Sequence, residues 1–506
     1  MDTSSRFALG LGLTLAAWLA TRLPPRAFAL TRPAALALDL FGPLAGFVWF
    51  LAITGRPALS GVLAAAVFGG FAFADYFKRR VLMEPAIFSD MSLLILMVRH
   101  PALYLAYVGY GRMTAIIVAL AALIGGLALA ERPIALWSPW QSPVAIAVVV
   151  ALVWAIANPW LQLAAARLRR FAPTGDPERD APALGALAMQ LTHGVIARAE
   201  RHGRRTAVAP AGPSGPRLTY LALARSTRPP VVLVQAESFF DARRLHPDIP
   251  EDLLPAFEAC RASSLQWGRM DVRGRGGNTM RTEFDVLTGL TSDAVGLDWR
   301  NPYHAFAKAP VDSLAWTLKA RGYRTLCIHP FDRSFFDRDR VMPNLGFDEF
   351  WGEEAFDGRV RDGRYIADQE VARVAESLLR SPEGLFVFVI TVANHGPWTA
   401  PADARRPTLG PCAREHGAHQ LLGFIEGLKR SDAMLARIAA AMSGRENPGL
   451  LAFFGDHLPS LPAPFAKLGF EDRSTDYFLW RDGEGQAPRR DCAAHELQGA
   501  ILGALD

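Results

Sequence analysis

The chain has 506 residues, 51% of them hydrophobic and 20% charged, with a formal net charge of +5. That length exceeds what one hydrophobic core usually serves, so two or more domains are expected. The apolar excess is concentrated in the first third, and much of the arginine lies between or just after apolar segments. The positive charge therefore speaks for a surface beside anionic lipid head groups and against nucleic-acid binding.

Five stretches read as membrane-spanning helices, about 7–23, 34–54, 58–77, 114–130 and 143–163; crossing a bilayer takes roughly 20 apolar residues. Pro24, Pro25, Arg26, Arg32 and Pro33 mark the first gap, and Gly55, Arg56 and Pro57 the second. The first stretch also reads as a signal peptide, because Ala27-Phe28-Ala29 resembles a cleavage site, but the four later stretches commit the chain to the membrane. Segment 78–113 is more broken: it opens on Lys78-Arg79-Arg80, holds Glu84, Pro85 and Asp90, and carries the apolar run Leu93–Val98. It reads as interfacial or re-entrant helices at head-group level, or as an amphipathic loop.

Residues 1–166 thus form a transmembrane domain whose ends face opposite sides. Placing the large domain outside puts Lys78-Arg79-Arg80 and Arg167, Arg169 and Arg170 outside too, against the positive-inside rule. An anionic lipid substrate held beside the active site would give those cations a reason to be there. Residues 167–227 read as a linker, rich in Pro and charge over 173–182 and again over 202–216, with a short amphipathic helix at 184–200.

From 228 to 506 short apolar runs alternate with helical periodicity. Val231–Val234, Thr325–Ile328, Leu385–Ile390 and Leu450–Phe454 read as buried strands, and 311–321, 366–380 and 420–442 as helices. That alternation predicts an α/β domain with a largely parallel sheet, whose ligands sit beyond the strands' carboxyl ends. The residues there are Gln235-Ala236-Glu237-Ser238-Phe239, Asn394-His395-Gly396-Pro397-Trp398 and Gly455-Asp456-His457, with the Gly-rich segment Gly274 to Phe284 between. Singly, such features are commonly caps or turns. Together, a carboxylate, an Asp-His pair and Thr279 in a Gly-rich turn suit a metal site, Mn²⁺ or Zn²⁺ rather than Ca²⁺. The four cysteines, Cys260, Cys327, Cys412 and Cys492, have no CxxC spacing; zero, one or two disulfides stay open, and Cys327 in an apolar run reads as a buried thiol.

In order, Gln-x-Glu-Ser-Phe, Thr-x-x-Thr-Glu-Phe, Asn-His-x-Pro-Trp and Phe-Gly-Asp-His resemble the lipoteichoic acid synthase and phosphoglycerol transferase group. That group lies in the sulfatase-like branch of the alkaline phosphatase superfamily. The resemblance implies five spans followed by an extracytoplasmic α/β domain, and one metal, usually manganese (Zn²⁺ or Mg²⁺ being alternatives), on Glu237, Thr279, Asp456 and His457. It implies Thr279 as nucleophile, His395 at the departing and incoming oxygens, and His329, Phe336 and Arg338 around the substrate, with Phe336 standing where relatives carry Trp. True sulfatases mature a Cys or Ser in a Cys-x-Pro/Ala-x-Arg context; Cys260-Arg261-Ala262-Ser263-Ser264 lacks the Arg, so sulfate-ester hydrolysis is not expected.

The expected function is transfer of the phosphatidylglycerol head group onto an envelope glycan, with a phosphoethanolamine transferase, a phospholipase-C-like phosphodiesterase and a catalytically silent lipid-binding partner as rivals. No GxxxxGK[ST] loop is present, and no nucleotide is needed. The Ala, Arg, Gly and Pro richness points to a GC-rich bacterium, hence an inner membrane with the catalytic domain facing the periplasm and a glucan acceptor.

Overall fold

The structure, a computed structural model, describes residues 2–22, 32–93, 99, 101, 109–134, 138, 140–157, 160–207, 228–274, 276–381, 384–399 and 418–506. Ala27-Phe28-Ala29, most of the run Leu93–Val98, the linker over 208–227, Arg275 and Cys412 lie outside the described residues. The chain divides into two compact units, Met1–Gly203 and Arg204–Asp506, so the division falls within the segment 167–227.

In the first unit the apolar stretches form the helices Thr3–Ala20, Pro33–Thr54, Pro57–Leu82, Tyr110–Ala130 and Gln141–Ala157. Proline opens the second and third, where its missing amide leaves no bond unmade. Pro33–Thr54, Pro57–Leu82 and Tyr110–Ala130 are long and apolar enough to cross a membrane. The last of these buries no residue and exposes Ile116, Ile117, Val118 and Leu123. Thr3–Ala20 and Pro57–Leu82 approach through glycines: a Cβ on Gly61 would lie 2.2 Å from the Gly10 Cα. Small residues permit such backbone contact between apolar helices.

Several charges within this unit are paired. Asp39, fully buried, accepts from Trp18 Nε1 at 2.9 Å and Arg22 Nη1 at 2.5 Å on one oxygen. Its other oxygen accepts the Leu187 and Ala188 amides, both at 2.9 Å, and so caps the helix Ala186–Ala207. Lys78 meets Glu84 at 2.9 Å and Asp90 at 2.8 Å, and Arg79 meets Asp75 at 2.7 Å. Asp180 receives Thr174, Gly175 and His193 Nε2, the last at 2.7 Å, closing residues 174–193 into a clasp.

The second unit is built on an eight-stranded sheet. Its strands are β1 (Val231–Ala236), β2 (Ser264–Asp271), β3 (Arg324–Ile328), β4 (Glu349–Trp351), β7 (Leu385–Ile390), β8 (Leu450–Gly455), β9 (Ser474–Trp480) and β10 (Cys492–Ala493), in the order β10-β2-β9-β8-β1-β7-β3-β4. A separate ribbon pairs β5 (Arg361–Asp362) with β6 (Tyr365–Ile366). Neighbours from β8 through β4 are parallel, while β9 runs antiparallel to both β8 and β2. Both faces are covered. Val232 and Val234 join a core with the helices Pro255–Ala262, Asp368–Leu379 and Ala418–Met442, and Val231 and Leu233 join another with Met280–Thr288 and Leu314–Ala320. Strands buried on both sides are continuously apolar, which is why β1, β7 and β8 stand out in the sequence. Cys260, Cys327 and Cys492 are free thiols, and Cys327 is fully buried on β3.

Candidate active site

The chain leaves β1 at Ala236, β3 at Ile328, β7 at Ile390 and β8 at Gly455, all on one edge of the sheet. Glu237, Asp456 and His457 follow β1 and β8 directly; each is buried and offers a ligand atom, all within 4.8 Å of one another. Glu237 is turned inward by Ser238, at φ 55°, and its amide donates to Thr391 Oγ1 at 2.9 Å. Gly455 ends β8 against Phe239, whose carbonyl oxygen would lie 1.8 Å from any Cβ there, so no larger residue fits.

Thr279 opens the helix Met280–Thr288, preceded by Asn278 at φ 64°. Its Oγ1 lies 3.5 Å from His457 Nε2. Thr282, one turn later, donates to the Asp456 carbonyl at 2.6 Å, and the Gly276 amide donates to Leu458 O at 2.8 Å. The Gly-rich turn is thus bonded to the β8 exit, which sets the hydroxyl beside the imidazole.

This donor set fits a divalent cation. Asp456 Oδ1 accepts the Ser238 and His457 amides at 2.8 Å, while Oδ2 is buried with no hydrogen-bond donor. His457 Nδ1 donates to Leu458 O at 3.0 Å, which leaves the Nε2 lone pair facing Glu237 Oε1 at 3.5 Å and Asp456 Oδ2 at 3.3 Å. Burial first, then the Asp456 charge, pushes the Glu237 carboxyl up. Two carboxyl groups and an imidazole buried this close together are costly to ionise unless a cation lies between them.

A second group lies beside the first. Arg338, 1% exposed, turns its Nε and Nη2 to Glu283 Oε1 and Oε2 at 3.0 and 2.8 Å, and its Nη1 to His329 Nε2 at 3.3 Å. The fork that could have clasped two phosphate oxygens is therefore taken by Glu283, leaving the Nη1 edge. Tyr303 Oη donates to Glu283 Oε1 at 2.5 Å and Gln235 Nε2 to Oε2 at 3.0 Å. His329 receives from Arg338 on Nε2 and faces Ile390 O through Nδ1 at 3.4 Å. Burial and Arg338 hold its pKa well below the usual value, so it is neutral. Phe336 packs beneath the guanidinium, 5.4 Å from ring to Arg338 Cζ, and both Phe336 and Asp337 are left-handed, at φ 58° and 57°.

His395 donates from Nδ1 to Gly396 O at 2.7 Å, with Tyr365 Oη at 3.2 Å from the same nitrogen. The neutral ring then carries its lone pair on Nε2. Burial lowers its pKa. A neutral imidazole whose Nε2 meets no donor among the described residues can take a proton there.

The structure brings Glu237, Thr279, Asp456 and His457 together, and brings His329, Phe336 and Arg338 together around Glu283. Sequence reasoning assigned no role to Glu283, Tyr303, Gln235, Thr282 or Tyr365. Glu283 stood in view within Thr-x-x-Thr-Glu-Phe, but its partner lies 55 residues on. Nothing in the sequence marks Tyr303 or Tyr365.

Residues 229–499 match the family model described as Sulfatase. The chain is 30% identical over 456 residues to the capsular polysaccharide biosynthesis protein RkpI of Rhizobium meliloti (strain 1021), covering 86% of this chain and 79% of that protein. It is 29% identical over 249 residues to a putative cyclic beta-1,2-glucan modification protein of the same organism, covering 48% of this chain and 38% of that one. Among solved structures, the integral membrane protein lipooligosaccharide phosphoethanolamine transferase A of Neisseria meningitidis aligns with a TM-score of 0.58 at 12% identity, over 100% of this chain and 96% of that one. At that identity the likeness is one of fold.

Proposed function

Because the chain belongs to the sulfatase family, we propose that it is a metal-dependent membrane transferase that moves the head group of phosphatidylglycerol onto an envelope glycan through a covalent intermediate on Thr279. The observation that carries this reading is the Thr279 hydroxyl, 3.5 Å from His457 Nε2 at the edge of the Glu237, Asp456 and His457 group. The motif wording supports phosphoglycerol as the group transferred, and two relatives named for polysaccharide and glucan support a glycan acceptor. The apolar helices support a multi-pass membrane protein, and a bacterial inner membrane with the catalytic unit on the periplasmic face is the placement the resemblance implies.

Glu237, Asp456 and His457, completed by Thr279, would hold one divalent cation, Mn²⁺ by resemblance. Bound there, it supplies positive charge that makes the threonine hydroxyl easier to ionise and offsets charge on phosphoryl oxygens. Thr279 Oγ attacks the lipid phosphorus; the Oγ–P bond forms, the bond from phosphorus to the diacylglycerol oxygen breaks, and that oxygen takes up the equivalent of the proton that Thr279 gives up. Arg338 offers its Nη1 edge to a phosphate oxygen, held in place by Glu283, and Phe336 packs against the head group. An acceptor hydroxyl then gives its proton to His395 Nε2 and attacks phosphorus, and Thr279 leaves and is reprotonated.

The test is the mass of the peptide containing Thr279 after incubating full-length protein with Mn²⁺ and an equal mixture of phosphatidylglycerol and phosphatidylethanolamine, quenched in acid. A phosphoglycerol adduct, absent in Thr279→Ala, is expected. A phosphoethanolamine adduct would change the donor. Diacylglycerol release without adduct would point to hydrolysis, and neither product from metal-loaded protein would sink the reading.

A further inference from the structure

Between His329 and His395 runs a line of aromatic rings. Phe331 lies 6.0 Å from His329, 5.3 Å from Phe335 and 6.3 Å from Tyr365. Phe335 lies 4.3 Å from Phe336, and Tyr365 lies 5.8 Å from His395. Phe331 and Phe335 belong to neither core of the sheet, and both are partly exposed, as is Phe336. Loops after strands are ordinarily polar, so three partly exposed phenylalanines within six residues of one strand-end loop stand out.

We propose that Phe331, Phe335 and Tyr365 form a stacking wall for a sugar ring of the acceptor glycan, which brings one of its hydroxyls to His395 Nε2; this rests on the transferase reading above. Three features select a sugar over other apolar ligands. The rings meet at 87°, 52° and 56°, so they form a corner of faces and edges and no parallel slot for a flat base. Cations border the wall, with Arg338 Cζ 5.4 Å from Phe336 and Arg364 Cζ 5.7 Å from Tyr365. That border suits a ligand with apolar C–H faces and polar hydroxyl edges and repels an acyl chain. The wall also ends at the His395 imidazole, whose Nδ1 is held by Gly396 O and Tyr365 Oη, so that Nε2 is the nitrogen left to take the acceptor's proton. Pockets that fix orientation combine aromatic lining with a few placed polar groups in this way.

The test uses Mn²⁺-loaded full-length protein and a short β-1,2-linked glucan oligosaccharide as probe, bound by titration calorimetry and supplied as chase to the Thr279 adduct. Phe331→Ala is expected to weaken oligosaccharide binding about 10-fold and to slow oligosaccharide-dependent discharge of the adduct more than adduct formation. Phe331→Tyr, which keeps a ring, should restore both. Unchanged binding in Phe331→Ala, or a loss confined to adduct formation, would overturn the wall and leave the transferase reading intact. Wild-type protein that forms no adduct yet binds the oligosaccharide through Phe331 would overturn the transferase reading and leave the wall.

Discussion

Arg338 and Glu283 form a two-pronged ion pair inside the catalytic unit, Nε to Oε1 at 3.0 Å and Nη2 to Oε2 at 2.8 Å, with side chains 2% and 0% exposed. The pair fixes the guanidinium plane, so the remaining Nη1 edge keeps one direction. Removing one partner strands a buried charge, which costs about 3–5 kcal/mol. Glu283→Gln is therefore expected to lower the unfolding free energy by that order and to reduce kcat/KM for the lipid donor. Arg338→Lys should do the same, because an ammonium cannot span both carboxylate oxygens. Chemical denaturation and donor kinetics check both; a Glu283→Gln protein of unchanged stability and donor kinetics would remove the positioning role.

Burial raises the Glu237 carboxyl, with Asp456 adding to it. In the metal-free protein that group favours the folded state at low pH, and the contribution is lost as pH rises through its raised pKa. A cation binds the ionised form and releases its proton. Mn²⁺ should therefore raise the melting temperature more at pH 8 than at pH 5.5, and Glu237→Gln should lessen the difference. Equal shifts at both pH values, measured by calorimetry, would exclude Glu237 from the ligand set.

In the proposed mechanism His395 acts in its neutral form, and burial lowers its pKa from the ordinary 6.5. Discharge of the Thr279 adduct to a glycan should stay full at neutral pH and fall only as pH drops through a midpoint below 6.5. His395→Gln should slow discharge by about 100-fold or more and remove that acid limb. A midpoint at or above 6.5, or a limb that survives the substitution, would assign the proton transfer to another group.

Asp39 holds Arg22, Trp18 and the amides of Leu187 and Ala188 at once. Asp39→Ala should leave Arg22 buried without its counter-charge and uncap the helix Ala186–Ala207, at a cost of about 3–5 kcal/mol. Limited proteolysis in detergent should then cut within 174–207 at least 10-fold faster, while the isolated chemistry of the second unit persists. Equal cleavage rates would show that the cap is not what holds that helix.

How much of this was legible depends on distance along the chain. β7, β8 and β1 up to Val234 are unbroken apolar runs because both faces are covered, and each was readable to within two residues. β2 and β9 carry Gln266, Arg269 and Asp476 among their apolar residues, so their period is blurred and they were missed. The Glu237, Asp456 and His457 cluster was visible because its residues follow strands directly. The Glu283–Arg338 lock and the Tyr365–His395 bond join residues 55 and 30 apart, through a turn and a two-residue strand that leave no periodic trace. The cations that looked misplaced around 78–80 turn out to be paired for Lys78 and Arg79, so their count overstates the net charge of that segment.

The two oxygens of Asp39 are served by parts of the chain made at different times. Trp18 and Arg22 leave the ribosome before Asp39 does, whereas Leu187 follows it by 148 residues, about 7–30 s at ordinary rates of synthesis. Through that interval the carboxylate has its counter-ion but not its amide donors. Each apolar helix of the first unit is synthesised before those donors arrive. A chain that stops before residue 186 therefore leaves one oxygen of the Asp39 carboxylate without its amide donors, and a chain that reaches the helix Ala186–Ala207 does not.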